Sequence, residues 1–188
     1  HLTSPPHHAI GETRRGHLHH IQLIQQRAGD EVNDVFYTPA EIAVEMVDMA
    51  ELKPGDVVLE PCYGGGIIFN LIPDYCSKEW CEVAKGRDFM EYTGSPTHII
   101  TNPPFSLFTQ FVEKMIELQP QTITLLFGCI NCSLNRVNLL IDAGYTITKQ
   151  HHTWWKPIVG GLTIIIHFEL HADPRENVPL TYDFTKYA

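Results

Sequence analysis

Basic side chains are scarce in this sequence: 13 Lys and Arg stand against 22 Asp and Glu in 188 residues, a formal net charge of −9. That balance excludes a uniformly basic nucleic-acid clamp, because net acidity opposes a polyanion at long range; any such contact has to come from local patches. Long apolar runs are missing too. None approaches the ~20 residues of a membrane-spanning helix, so no membrane partner is expected. No basic-then-apolar leader opens the chain, which starts at His1 rather than Met and reads as a trimmed or processed end. Cysteine is sparse and odd in number, five in all, which does not suit a secreted disulfide scaffold. A zinc site would need Cys129-x-x-Cys132 and the Cys76/Cys81 pair to converge, and nothing in the spacing requires that. The expectation is therefore no metal, with reduced, partly buried thiols in an intracellular, cytoplasmic setting.

What is present suits one folded domain, with 44% apolar and 19% charged residues. Residues 1–30 read as an N-terminal arm carrying six of the eleven histidines. Its His17-x-His19-His20 cluster could bind a metal, but an exposed or tag-derived tract is the better explanation. Residues 31–172 form the expected domain, and 173–188 a loosely packed tail.

Within the domain, Thr38-Pro39-Ala40-Glu41 has the form of a helix start: a Thr cap, Pro at the first position and Glu closing a capping box. Ile42, Met46, Val47 and Ala50 then share a face. Short strands are predicted at Val57–Leu59, Trp80–Val83 and Thr97–Thr101. Leu107, Phe108, Phe111, Val112, Met115 and Ile116 recur at three and four, an amphipathic helix. A strand at Thr122–Phe127, a helix at Asn135–Ala143 stopped by Gly144, and strands at Tyr145–Lys149 and Leu162–Leu170 complete the pattern. Alternating strands and helices predict an α/β fold: a mostly parallel sheet with helices on both faces and a C-terminal antiparallel hairpin. Such sheets bind ligands at the carboxyl ends of their strands.

Two unusual loops follow predicted strands directly. In Glu60-Pro61-Cys62-Tyr63-Gly64-Gly65-Gly66 the glycines let backbone approach a ligand closely, although such a turn also serves purely structural ends. No Gly-Lys-Ser/Thr follows, so this is not a phosphate P-loop, and Glu60 would repel a pyrophosphate. A carboxylate there suits a ligand carrying an amino group and hydroxyls. Glu82, about twenty residues on, sits where an acid accepts from ribose hydroxyls in nucleoside-binding α/β folds. Asp88 is a candidate acceptor for an exocyclic amine, with Phe89 packing against a ring; each also fits a plain surface or turn role. In Asn102-Pro103-Pro104-Phe105 two prolines remove two donors and fix two φ angles. The Asn102 amide and Pro103 carbonyl are thus held as acceptors for an NH2 group, beside the flat face of Phe105.

The two loops in this order resemble the S-adenosylmethionine-dependent amino-methyltransferases, specifically the adenine-N6 DNA methyltransferases. Phe36-Tyr37-Thr38-Pro39 is similar to that family's additional cofactor motif, and the likeness spans about residues 34–170. The resemblance implies a Rossmann-like class I methyltransferase fold and S-adenosyl-L-methionine as cofactor. It implies that Tyr37 and Thr38 support the methionine end, Pro61, Gly64 and Gly66 pass against the cofactor, and Glu60 lies near its amino group. Glu82 would hold the ribose, and Asp88 with Phe89 the cofactor adenine. Asn102, Pro103, Pro104 and Phe105 would bind the target base. The implied reaction is direct displacement at a sulfonium methyl by an aromatic amine, with duplex DNA substrates flipped out to reach the cleft.

RNA adenine and a protein glutamine amide are alternative planar amines for this motif, and a catalytically silent subunit is the alternative from another class. The elements after Phe105 consume most of the remaining chain. Target recognition is therefore expected from the N-terminal arm, from the Gln150–Gly161 loop with Trp154 or Trp155 as a further wall, from a second copy, or from another subunit.

Overall fold

The structure, a computed structural model, describes residues 36–128, 134–155, 162–171 and 181–185. The expected N-terminal arm, the Cys129-x-x-Cys132 pair and most of the Pro/Gly-rich loop after Trp155 lie outside those residues.

The first helix among the described residues, α1 (Ala40–Met49), buries Ile42, Ala43, Met46 and Val47 on one face. Its expected Thr cap does not form. Pro39 takes the N-cap position, its extended ψ of 150° turning its carbonyl onto the Ala43 N–H at 3.0 Å. The Thr38 hydroxyl is used elsewhere. Strand β1 (Val57–Glu60) leads through the glycine loop into the short helix α2 (Ile67–Leu71). Strand β2 runs over Ser77–Trp80 rather than Trp80–Val83. It is a partly exposed edge strand, so it carries no apolar signature, and its ladder with β1 ends at Glu60–Trp80. Beyond Cys81 the chain turns through a 3₁₀ segment, Val83–Lys85, closed by a Glu82–Arg87 bridge.

Strand β3 (His98–Thr101), helix α3 (Phe108–Leu118), strand β4 (Thr122–Gly128) and helix α4 (Leu134–Asp142) follow. Gly144, at φ +97°, turns the chain into β5 (Tyr145–Trp154), and β6 (Leu162–Leu170) pairs antiparallel to it. The tail expectation needs amendment: Thr181–Thr185 form a strand, β7, parallel to β5.

Among the described residues the sheet has seven strands in the order β2-β1-β3-β4-β6-β5-β7. Neighbours are parallel except where β6 meets β4 and β5. Alternation with period two sorts the strand side chains to opposite faces. Leu59, Ile99, Leu125 and Ile166 pack with Phe108, Phe111, Val112 and Met115 of α3. Val58, Ile100, Leu126 and Ile165 pack with Ile42, Met46 and Val47 of α1 and with Ile68 of α2. The result is a helix–sheet–helix sandwich. The chain leaves β1 on one side to form β2 and returns on the other as β3. Strand order therefore reverses between β1 and β3, and at such a point open α/β sheets take ligands in the crevice beyond the carboxyl ends of the strands.

Candidate active site

Strand β1 carries Glu60 to that crevice with its side chain turned inward, 2% exposed. One carboxylate oxygen, Oε2, accepts the Phe69 N–H at 2.8 Å, satisfying a donor in the first turn of α2 that no carbonyl of its own helix can reach. Burial pushes the Glu60 carboxyl up to about 8; the Phe69 hydrogen bond opposes that rise and the charge of Glu82 adds to it. Burial thus favours the neutral carboxyl, and a cationic group brought beside it would favour the charged form.

The loop that follows is shaped around absent side chains. Gly66 sits at φ +76°, and a Cβ there would lie 2.5 Å from Cζ of Tyr63. Gly64, also at positive φ, donates its N–H to Glu82 Oε2 at 2.8 Å. The exposed Tyr37 ring lies along the same loop, 3.4 Å from where a Gly65 Cβ would be. Pro61 is buried beneath it. Cys81 ties the loop to the end of β2, its N–H donating to the Glu60 carbonyl and its carbonyl accepting from Tyr63, each at 2.9 Å.

Glu82 lies two residues past β2, where it caps the 3₁₀ turn by accepting from the Ala84 N–H at 3.2 Å. With Oε2 on Gly64, it bridges the β2 end and the glycine loop. Asp88 is exposed and caps the next 3₁₀ turn through the Met90 N–H. Phe89, expected to pack against a ligand ring, is 2% exposed, and its ring centroid lies 5.1 Å from that of Phe111. It is a core residue. The 3₁₀ turn Phe89–Glu91 directs its one buried side chain against the apolar face of α3, where burying the ring outweighs leaving it at a ligand's edge.

Beyond β3, the Asn102 side-chain amide donates to the Phe36 carbonyl at 3.0 Å and to Thr38 Oγ1 at 3.1 Å. A carbonyl oxygen only accepts, so Nδ2 has to face Phe36, which leaves Oδ1 as the outward acceptor. The Pro104 carbonyl is taken by the Leu107 N–H at 3.1 Å, whereas no described donor reaches the Pro103 carbonyl. Phe105 is half-buried, its ring 5.9 Å from Phe36 and its carbonyl accepting from Arg136 of α4 at 3.3 Å. The segment Phe36–Thr38 therefore touches both loops: Tyr37 lies on the glycines, and its two neighbours hold Asn102.

Of the two tryptophans expected as a further wall, one packs behind this site. Trp155, 9% exposed, meets the Phe36 ring edge-on at 6.2 Å and so backs the Asn102 support; Trp154 points outward. The Tyr63 ring packs tilted against Trp80 with centroids 4.8 Å apart, the Lys85 ammonium 4.0 Å above the tyrosine ring and Arg87 4.0 Å above the indole. These contacts brace the glycine loop from its outer side. They join residues at unrelated separations, so only the fold reveals them. Among the described residues no group of three His, Cys, Asp or Glu converges as a metal site, and no helix is long and apolar enough to cross a membrane. Cys62, Cys76 and Cys81 are free thiols, the last two buried.

Solved structures share this architecture. The M protein of the type I restriction enzyme EcoKI superposes with a TM-score of 0.62 at 12% identity, over 83% of this chain and 50% of that one. The 23S rRNA methyltransferase ErmE gives 0.58 at 14% identity, over 74% and 71%. Magnesium protoporphyrin IX methyltransferase from Synechocystis PCC 6803, solved with S-adenosylmethionine bound, gives 0.56 at 13%, over 70% and 78%. The fold is that of the class I S-adenosylmethionine-dependent methyltransferases. No family model and no curated protein matches the sequence. The methyltransferase-fold chain spans half the length of the EcoKI subunit it overlays.

The site fits the cofactor of that fold on its own chemistry. Gly64 and Gly66 turn at positive φ after the buried Glu60 carboxyl, and Glu82 joins that loop to the end of β2, an acid-flanked backbone turn suited to a ligand with an amino group and hydroxyls.

Proposed function

We propose that this chain is a methyltransferase that uses S-adenosyl-L-methionine to methylate the N6 amine of adenine in DNA. The observation that carries the proposal is the Asn102 amide, turned by Phe36 and Thr38 so that Oδ1 is offered at the strand-order reversal, next to the glycine cradle.

When bound, S-adenosylmethionine supplies a methyl group activated on a sulfonium. Gly64 and Gly66 line its path, Glu60 receives its amino group, Glu82 its ribose hydroxyls and Asp88 the amine of its adenine. Tyr37 covers the methionine end, above the loop that Pro61 anchors. On the target side, Asn102 Oδ1 and the Pro103 carbonyl accept the two N–H groups of the amine.

An aromatic amine is a poor nucleophile because its lone pair is delocalised into the ring. Two fixed acceptors favour a pyramidal nitrogen and stabilise the positive charge that grows on it, and held in place they need no reorganisation. Phe105 offers a face for the base, and stacking of this kind contributes about 1–3 kcal/mol. An adenine within a duplex has to be extruded to reach the crevice. No strong base is needed, since the methylated ammonium sheds its proton to the pocket or to water.

The test is methyl transfer from labelled S-adenosylmethionine to DNA, RNA and peptide pools, followed by nucleoside and amino-acid mass spectrometry. N6-methyladenine recovered from DNA supports the proposal. Label in RNA adenine or in glutamine would reassign the substrate. Thermal stabilisation by the cofactor without transfer to any pool would make the chain a silent subunit.

A further inference from the structure

A carboxamide has two orientations of almost identical shape, and only one of them lets Asn102 accept a hydrogen bond from a substrate amine. The Phe36 carbonyl favours that orientation, but a single contact at 3.0 Å leaves the side chain free to swing about it. Thr38 Oγ1, at 3.1 Å, supplies the second point. Together they bind both hydrogens of the amide nitrogen and fix the plane of the group.

The Thr38 hydroxyl is available for this only because it caps no helix. A threonine before Pro-Ala-Glu ordinarily turns back onto the first free N–H groups, yet Pro39 occupies the cap position of α1 and no side chain caps it. The support behind this pair is rigid. The Phe36 ring packs against Phe105 at 5.9 Å and Trp155 at 6.2 Å, which anchors the residue whose carbonyl holds the amide.

We propose that Thr38 is a positioning residue for the target amine: with the Phe36 carbonyl it locks the Asn102 amide so that Oδ1 faces the crevice. The proposal rests on reading the site as an amine methyltransferase, and it gives Thr38 a task on the substrate side rather than on the cofactor. Removing its hydroxyl therefore slows transfer without weakening cofactor binding.

Thr38→Val, which keeps the shape and removes the acceptor, and Thr38→Ser, which keeps the acceptor, separate the roles. The expected result for Thr38→Val is a fall in kcat of about tenfold, the worth of one hydrogen bond to a reacting group, with the S-adenosylmethionine Kd within about twofold of the parent; Thr38→Ser recovers most of the rate. A raised cofactor Kd with unchanged kcat would overturn the proposal.

A second readout needs no activity. The Asn102 side-chain NH2 signal in nitrogen-15 spectra, identified by its loss in Asn102→Ala, should exchange with water several-fold faster in Thr38→Val than in the parent or Thr38→Ser. Equal exchange in all three would overturn the proposal as well. If the parent methylates nothing while the exchange difference holds, the lock on Asn102 stands and the methyltransferase reading fails.

Discussion

Asn102 donates its amide to the backbone carbonyl of Phe36, 66 residues earlier, at 3.0 Å. The contact orients the acceptor and anchors the segment entering α1. Replacing Asn102 with alanine removes the outward oxygen and leaves the Phe36 carbonyl without its donor. Transfer should fall by about 10²-fold or more, the usual cost of deleting one fixed transition-state partner. Calorimetric affinity for S-adenosylmethionine should stay within about twofold. Equal turnover of Asn102→Ala and the parent in a tritiated-methyl assay would refute the role of Asn102.

Glu60 gives the ligand-free protein an alkaline weakness. Its folded pKa, about 8, lies above the unfolded value, so its effect on stability is absent at low pH and becomes unfavourable as pH rises through that interval. Glu60→Gln, which keeps an acceptor for the Phe69 N–H, should therefore raise Tm relative to the parent at pH 8.5 and little at pH 4.5. The ceiling of the gain is about 5 kcal/mol. The same variant should lose most of the stabilisation that S-adenosylmethionine gives the parent, because a neutral amide cannot pair with its ammonium. Parallel melting curves across pH, with and without cofactor, check both halves.

His167 supplies the matching weakness on the acid side. Burial first, then the nearby Lys149 charge, hold it down at about 4 despite the opposing pull of Glu169, while its ring meets Thr124 Oγ1 at 2.8 Å. The histidine is neutral in the fold and gains its proton more readily when unfolded, so stability drains away as pH falls from about 6.5 towards 4. His167→Gln should flatten that loss by up to about 3 kcal/mol, measured by urea unfolding at pH 7 and pH 4.5. An unchanged slope would show that other groups govern the acid limb.

Gly66→Ala meets two obstacles, a positive φ and the Tyr63 ring 2.5 Å from the new methyl. Backbone strain of this kind costs about 1–3 kcal/mol. Tyr63→Ala in the same chain removes the clash but not the strain, so the double variant should regain only part of the lost Tm. Full recovery would mean that the dihedral carries no cost.

The apolar faces of α1 and α3 and the β-branched runs of β3, β4 and β6 were legible because burial writes a period into the sequence. Ala50 is as buried as the spacing of Ile42, Met46 and Val47 demands. Strand β2 escaped because Ser77-Lys78-Glu79-Trp80 lies at an edge, where backbone pairing alone makes a strand. Phe89 looked like a ligand wall because nothing local distinguishes an aromatic facing a crevice from one facing Phe111. Thr38 followed the capping rule in sequence and broke it in space, since a partner 64 residues away offered its hydroxyl a better donor. Tyr63 acts through a tertiary contact with Trp80 that no spacing encodes.

Strand β7 runs beside Lys149–Thr153, so the last ladder of the sheet is formed by residues far along the chain from its other parallel strands. Cleavage anywhere ahead of Thr181 would strip that cover and leave a bare row of main-chain donors and acceptors on β5. Such an edge invites pairing between molecules. A clipped preparation would therefore be prone to self-association even with every crevice residue intact.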